Sequence, residues 1–139
     1  MKALLDTDVI LDLLFEREQF FETAERLVQM HYQNLFDGYV SGITPVNVFY
    51  IGRKLRGVES ARLAVSKILT TFGICPINEA ILDKARTLVI TDYEDAVQHA
   101  AAEAAGLEAI ITRDLKDYKH STLPVYSPGD FVNFVSRTK

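Results

Sequence analysis

Apolar residues fall in short blocks separated by polar turns, and their spacing shifts between strand and helix periods along the chain. Lys2 to Leu5 is short and apolar and ends at Asp6, the pattern of a buried strand running into a turn, and a helix over residues 8–15 is predicted to follow. From Phe20 to Phe36, the residues Phe20, Ala24, Leu27, Val28 and Leu35 lie near helical spacing with Glu22, Glu25, Arg26 and Gln29 between them. Asp37 and Gly38 read as the stop. "YVSG", 39–42, predicts a second strand. Thr44 then supplies a hydroxyl cap and Pro45 the first helical position, opening a helix that runs to about Arg56 and ends at Gly57. An amphipathic helix from Ser60 to Phe72 stops at Gly73, and "ICPI" reads as a third strand.

Asn78 caps a further helix through about Leu88. An alanine-rich helix begins at Thr91 or Asp92, reaches Ala105 and stops at Gly106. "LEAIIT", 107–112, is the clearest buried strand of the second half, and "LPVYS" is a last short one. Ser127, Pro128 and Asp130 open a final helix with cap, proline and capping carboxylate in place. Strands alternating with helices define an α/β fold: three layers, α/β/α, around a central, mostly parallel sheet of about four to five strands. No repeat, low-complexity tract or linker interrupts the pattern, so residues 1–139 read as one domain.

Composition narrows the function classes. With 139 residues, 48% hydrophobic and 24% charged, the chain is an ordinary globular length and mixture. It has no apolar run of about 18 residues or more, and its first residues lack the basic start and cleavage pattern of a signal peptide, which predicts a soluble, cytoplasmic protein with no membrane partner. The single cysteine, Cys75, excludes an internal disulfide and a cysteine-rich zinc site; it is expected to be a buried core thiol. His31, His99 and His120 stand apart from one another, so nothing suggests zinc. A net charge of −4 argues against duplex binding by overall charge but leaves room for a local basic groove.

The acids carry the candidate chemistry. A parallel sheet delivers every strand to one edge, and open α/β folds bind ligands outside those carboxyl ends. Asp6 ends the first strand, Asp114 lies just beyond "LEAIIT", and Asp95 sits in the first turn of the preceding helix. Carboxylates brought together repel and resist desolvation unless a cation compensates, and the usual one for an oxygen-only site is Mg²⁺ or Mn²⁺, as in phosphodiester chemistry.

At these residues the sequence resembles the PIN-domain nucleases, which include the VapC-type toxins of toxin–antitoxin pairs. The resemblance spans nearly the whole chain and rests on three blocks in order: "LLDTDVILDLL", "DYEDAVQHAAAEAAG" and "IITRDLKDY". It implies a divalent-metal-dependent endoribonuclease that hydrolyses single-stranded RNA, with Asp6, Asp95 and Asp114 as metal ligands and Asp117 as a fourth catalytic acid. It further implies a homodimer and, for a toxin, an antitoxin partner. One position departs: many PIN nucleases carry a glutamate on the helix after the second strand, and in "SGITPVNVFYIGRK" that position is Asn47, a neutral side chain that coordinates only through its carbonyl oxygen.

Other residues take supporting readings. Asp8 is expected to cap the first helix or back up the metal site, and Asp12 to lie on a solvated helix face. If Thr91 caps the alanine-rich helix, Glu94 completes the capping box; if Asp92 does, Asp95 stands there. Either way Glu94 reads as mainly structural. Thr112 is placed to orient a carboxylate or bind the scissile phosphate. Arg53, Lys54 and Arg56, with Arg113, Lys116 and Lys119, are candidates for an RNA backbone groove or for solvated faces. Phe49 and Tyr50 fit core or dimer packing better than base stacking. Two rivals remain. The Asp6-x-Asp8 pair also opens the haloacid dehalogenase-like aspartyl phosphohydrolases, but Val9 replaces their usual glycine and no convincing later lysine and paired acids follow. A degenerate PIN module that binds RNA or protein without cutting is supported by Asn47.

Overall fold

A computed structural model describes residues 1–138. In chain order the elements are β1 (Lys2–Leu5), α1 (Thr7–Leu14), α2 (Phe21–Tyr32), β2 (Asp37–Ser41), α3 (Ile43–Thr71), β3 (Gly73–Cys75), α4 (Glu79–Ala85), α5 (Tyr93–Ala104), β4 (Ala109–Ile111), a 3-10 turn (Leu115–Tyr118), β5 (Val125–Tyr126) and α6 (Pro128–Thr138). The strands form one five-stranded sheet in the order β3-β2-β1-β4-β5, with every pairing parallel. The chain builds outward from β1 in one direction and then returns to build through β4 in the other. The crevice at the switch point therefore opens at the carboxyl ends of β1 and β4. Leu5 pairs with Ile111, so Asp6 and Thr112 emerge side by side.

Alternation along the central strands feeds two cores. Ala3 and Leu5 of β1, with Ala109 and Ile111 of β4, join Ile10, Leu27, Met30, Ile68 and Phe131 under α1, α2, α3 and α6. Leu4 and Ile110 point the other way and join Cys75, Ile81, Val97 and Ala100 under α4 and α5. These strands are buried on both faces, which is why they read as continuous apolar runs. The small residues Ala96, Ala100 and Ala101 form the buried face of α5, so that helix lies close against the sheet. The Cys75 thiol is buried there and pushed up to about 11 by desolvation, an inert core group.

Element boundaries depart from expectation where a local conformation intervenes. The second helix ends at Tyr32 because Asn34 takes a left-handed φ of 60°, which turns Leu35 and Phe36 inward, Phe36 edge-on to Phe131 at 4.9 Å. The two helices expected on either side of Gly57 run on as α3 with a break at that glycine, φ 89° and ψ 172°. Thr44 is not a cap: the helix begins at Ile43, two residues before the expected Pro45, with Gly42 at the cap position, and the buried Thr44 hydroxyl is used elsewhere. Gly106, φ 74°, ends α5 as expected. His31 gains an unforeseen structural role. Its Nδ1 accepts from the Gly38 N–H at 2.9 Å, which leaves the ring proton on Nε2 to donate to the Thr71 carbonyl at 2.6 Å. One ring thus fastens α2, β2 and the end of α3 together.

Candidate active site

Asp6 is fixed by backbone and side chain at once. Its N–H donates to the Ile111 carbonyl across the switch point at 2.9 Å. Its side chain caps α1, Oδ1 accepting from the Thr7 N–H at 2.7 Å. The same Oδ1 accepts from the Gln98 amide at 2.7 Å, and Oδ2 accepts from the Thr112 hydroxyl at 2.7 Å. These three donors replace the water that a carboxylate only 5% exposed has given up. A carboxylate has about four lone-pair directions, so the one left open is on Oδ2.

Gln98 organises the rest. It is fully buried; its Oε1 accepts from Thr44 Oγ1 at 3.3 Å, and the Thr44 and Thr7 hydroxyls pair at 2.9 Å. Its Nε2 also lies 3.4 Å from the Tyr118 hydroxyl, which donates to Asp95 Oδ1 at 3.3 Å. The 3-10 turn after β4 buries Tyr118 for this purpose. Burial, followed by the charges of Asp6 and Asp95, drives its phenol far above the ordinary range, so it stays a donor. A continuous set of side chains therefore links α1, α3, α5 and the post-β4 turn to the Asp6 and Asp95 carboxyls.

Around this frame the acids strain against one another. Asp95 is half-buried on α5 and pushed up to about 8, first by desolvation and then by Asp6, Asp92 and Asp117. Asp8, in the first turn of α1, is pushed up to about 7 by burial and then by Asp6, with Arg113 opposing; its Oδ1 is buried with no hydrogen-bond partner. Glu94 rises through desolvation and Asp92, opposed by the Asn47 amide, which donates to Glu94 Oε1 at 2.7 Å. Asp117 is exposed and raised chiefly by hydrogen bonding to Asp114. Asp114 is also exposed, its N–H donating to Thr112 Oγ1 at 3.0 Å. Among the described residues no three acidic, histidine or cysteine side chains form a metal cage by themselves. The donors present are oxygens, and the orphaned Asp8 oxygen and crowded Asp95 suit a hard divalent cation completed by non-protein oxygens.

Several residues sit differently from expectation. Asp6, not Asp8, caps α1. Asp92 caps α5, accepting from the Asp95 N–H at 3.0 Å, which settles the choice between it and Thr91. Asp12 is not solvated: it is 1% exposed and accepts from Arg113 Nε at 2.6 Å and Nη2 at 3.1 Å, with Arg17 3.6 Å away. Glu94 accepts from Asn47, and Gln98 and Tyr118, which lie inside the sequence blocks quoted above without a role of their own, carry hydrogen bonds to Asp6 and Asp95. The signal for Gln98 was its place three residues after Asp95, on the same helical face. Arg53, Lys54 and Lys116 are exposed and form no ion pair among the described residues, Arg53 lying over the Tyr50 ring at 5.1 Å; Arg56, also exposed, donates to the Phe15 carbonyl at 3.4 Å. Tyr50 is 56% exposed, outside the core. Neither His99, which bonds Ser121 and Thr122, nor His31 reaches the acids through a hydrogen bond.

A parallel sheet in this order, helices on both faces and acids at the β1/β4 switch point define a PIN-like α/β/α protein, and the comparison with known families agrees. The family model described as PIN domain matches residues 2–116, and the chain belongs to that family. The chain is 25% identical over 122 residues to Ribonuclease VapC1 of Aquifex aeolicus, covering 84% of each chain. Among solved structures it is similar to a toxin–antitoxin complex from Klebsiella pneumoniae, with TM-score 0.67 and 28% identity over 91% of this chain and 97% of the other. It is likewise similar to FitAcB from Neisseria gonorrhoeae, with TM-score 0.69 and 26% identity over 91% and 98%. The aspartyl phosphohydrolase alternative is set aside by the family match.

Proposed function

We propose that this protein is a divalent-metal-dependent endoribonuclease that cleaves single-stranded RNA, of the toxin type. The observation that carries the reading is the Asp6 carboxylate, buried, held by three donors and left with one open position beside the Asp8 and Asp95 carboxyls that burial and mutual repulsion have raised. Asp6 and Asp95 would hold Mg²⁺ or Mn²⁺, with Asp114 and Asp117 on the solvent side and Asp8 behind. A cation bound there supplies Lewis acidity toward a phosphoryl oxygen and a lowered water pKa. The chain's own contribution is orientation: Thr112 and Gln98 hold Asp6, and Tyr118 holds Asp95. Asn47 does not leave a gap, because its amide orients Glu94, a carboxylate supplied from α5.

Two partners follow from the same reading. The family's solved toxin–antitoxin assemblies support an antitoxin protein. A homodimer is supported by the apolar outer face of α3, where Val46 is 53% exposed and Tyr50 56%. The cutting activity is tested on a mixed single-stranded RNA pool with Mg²⁺ or Mn²⁺, comparing the natural protein with Asp95→Asn. Cleavage that disappears in the variant and on chelation is expected. Equal activity in both proteins, or activity that survives complete chelation, would overturn the metal-dependent site, and no cleavage by either protein would leave a non-cutting PIN module as the better reading.

A further inference from the structure

We propose that the cavity beside Arg113 is a subsite for one nucleobase of the RNA strand, adjacent to the scissile phosphate; this rests on the nuclease reading above. The cavity measures about 380 Å³, within the range of small-ligand sites. It opens where β4 and β5 deliver the chain to the carboxyl edge: Arg113 follows β4, Ser127 and Gly129 follow β5 and open α6, Asp12 comes from α1, and Phe20 and Thr23 from the entry to α2. Arg113 stands between Thr112, which bonds Asp6, and Asp114, and its charge acts on Asp8. The cavity therefore opens at the same sheet edge as the acids, where a strand lying across them can reach it.

The chemistry of the walls selects the ligand. The bidentate grip of the buried Asp12, which also has Arg17 3.6 Å away, fixes the Arg113 guanidinium and partly offsets its charge, and the group lies over the Phe20 ring at 3.9 Å. A phosphate in this cavity would meet the Asp12 carboxylate on the guanidinium's paired edge, which leaves mainly the flat face of Arg113 for a ligand. A nucleobase is neutral and planar, stacks on arginine and aromatic planes, and presents donors and acceptors at its edge. Groups to read that edge are present. Ser127 Oγ accepts from the Asp130 N–H at 3.1 Å and keeps its own hydrogen to donate. The Gly129 N–H is at the second position of α6, where no intrahelical acceptor exists. Thr23 adds a hydroxyl. Arg113 thus acts here as a fixed flat platform, with its charge partly offset by Asp12.

The test is cleavage of a single-stranded RNA library with sequencing of the cut ends, for the natural protein, Phe20→Ala and Thr23→Val. Phe20 is 37% exposed, so its truncation spares the core. At one position flanking the cut, the natural protein is expected to favour its best base over its worst by about tenfold or more, and Phe20→Ala to reduce that ratio below about threefold. Thr23→Val is expected to change which base is favoured. An identical base preference in all three proteins would overturn the subsite. The second arm titrates metal-free natural protein with each of the four nucleosides, followed by amide NMR. Saturable shifts at Thr23, Arg113 and Gly129 are expected with at least one nucleoside. Silence with all four leaves the cavity to a protein side chain and overturns the proposal. Absence of RNA cleavage together with nucleoside shifts would count against the nuclease reading while retaining the base site.

Discussion

Gln98 and the raised carboxyls decide how the site behaves residue by residue. Replacing Gln98 with Glu keeps the shape, removes the donor to Asp6 Oδ1 and adds a negative charge beside it. Residues that orient metal ligands typically contribute about 10–100-fold to metal affinity, so Mn²⁺ binding to Gln98→Glu, measured by electron paramagnetic resonance, is expected to weaken by about that factor. Gln98→Met, which removes the donor without the charge, is expected to fall between the two. Unchanged affinity in both variants would reduce Gln98 to a packing residue. The pH dependence follows from Asp8 and Asp95. Their carboxyls are raised in the folded, metal-free protein, to about 7 and about 8, above the unfolded value of 3.8. Between that unfolded value and these folded ones the folded state binds more protons, so stability falls as pH rises through this window. The melting temperature of metal-free protein is expected to be higher at pH 5 than at pH 8, and added Mg²⁺ to raise it most at pH 8. A melting temperature that climbs from pH 5 to pH 8 without metal would contradict these shifts.

Among the elements, two long-range fastenings matter most. His31 joins α2, β2 and α3, and His31→Ala leaves the Gly38 N–H and the Thr71 carbonyl without their partner. The cost is expected at about 1–3 kcal/mol, read from the urea midpoint with an unchanged slope. Asp12 joins α1 to the segment after β4 through Arg113, so Asp12→Asn is expected to destabilise the fold and to release the Arg113 side chain from the Phe20 ring, observable as loss of their NMR contact. These fastenings also mark the limit of what the chain shows when read locally. Asp6 was legible because a lone carboxylate ending an apolar strand announces the sheet edge, and Ser127 and Asn78 announced their helices by their own side chains. Asp12 was misread as solvated because its partner, Arg113, lies far along the chain. Gln98 passed unnoticed because an amide carries no reactive signature until the fold sets it against Asp6. Thr44 looked like a cap because threonine before proline usually is one; its hydroxyl instead turned inward to Gln98.

For the whole molecule, the five-stranded order places the β1/β4 crevice, and therefore the acids, at one edge, and α3 exposes Val46 and Tyr50 beside Asn47. Among the described residues no helix is long and apolar enough to cross a membrane. If two copies meet through α3, Val46→Glu is expected to shift the protein from dimer to monomer in light scattering, without lowering its melting temperature at matched monomer state. A natural protein that is monomeric at high concentration would remove that assembly.

If Asp6 and Asp95 hold a divalent cation against carboxyls that otherwise retain protons, calorimetric titration of Mn²⁺ into metal-free protein at pH 6.5, in two buffers of different ionisation enthalpy, reads both the binding and the protons it displaces. Saturable binding that releases protons is expected for the natural protein, with binding lost in Asp6→Asn. No saturable binding, or the same binding and proton release in Asp6→Asn, would contradict this placement of the cation.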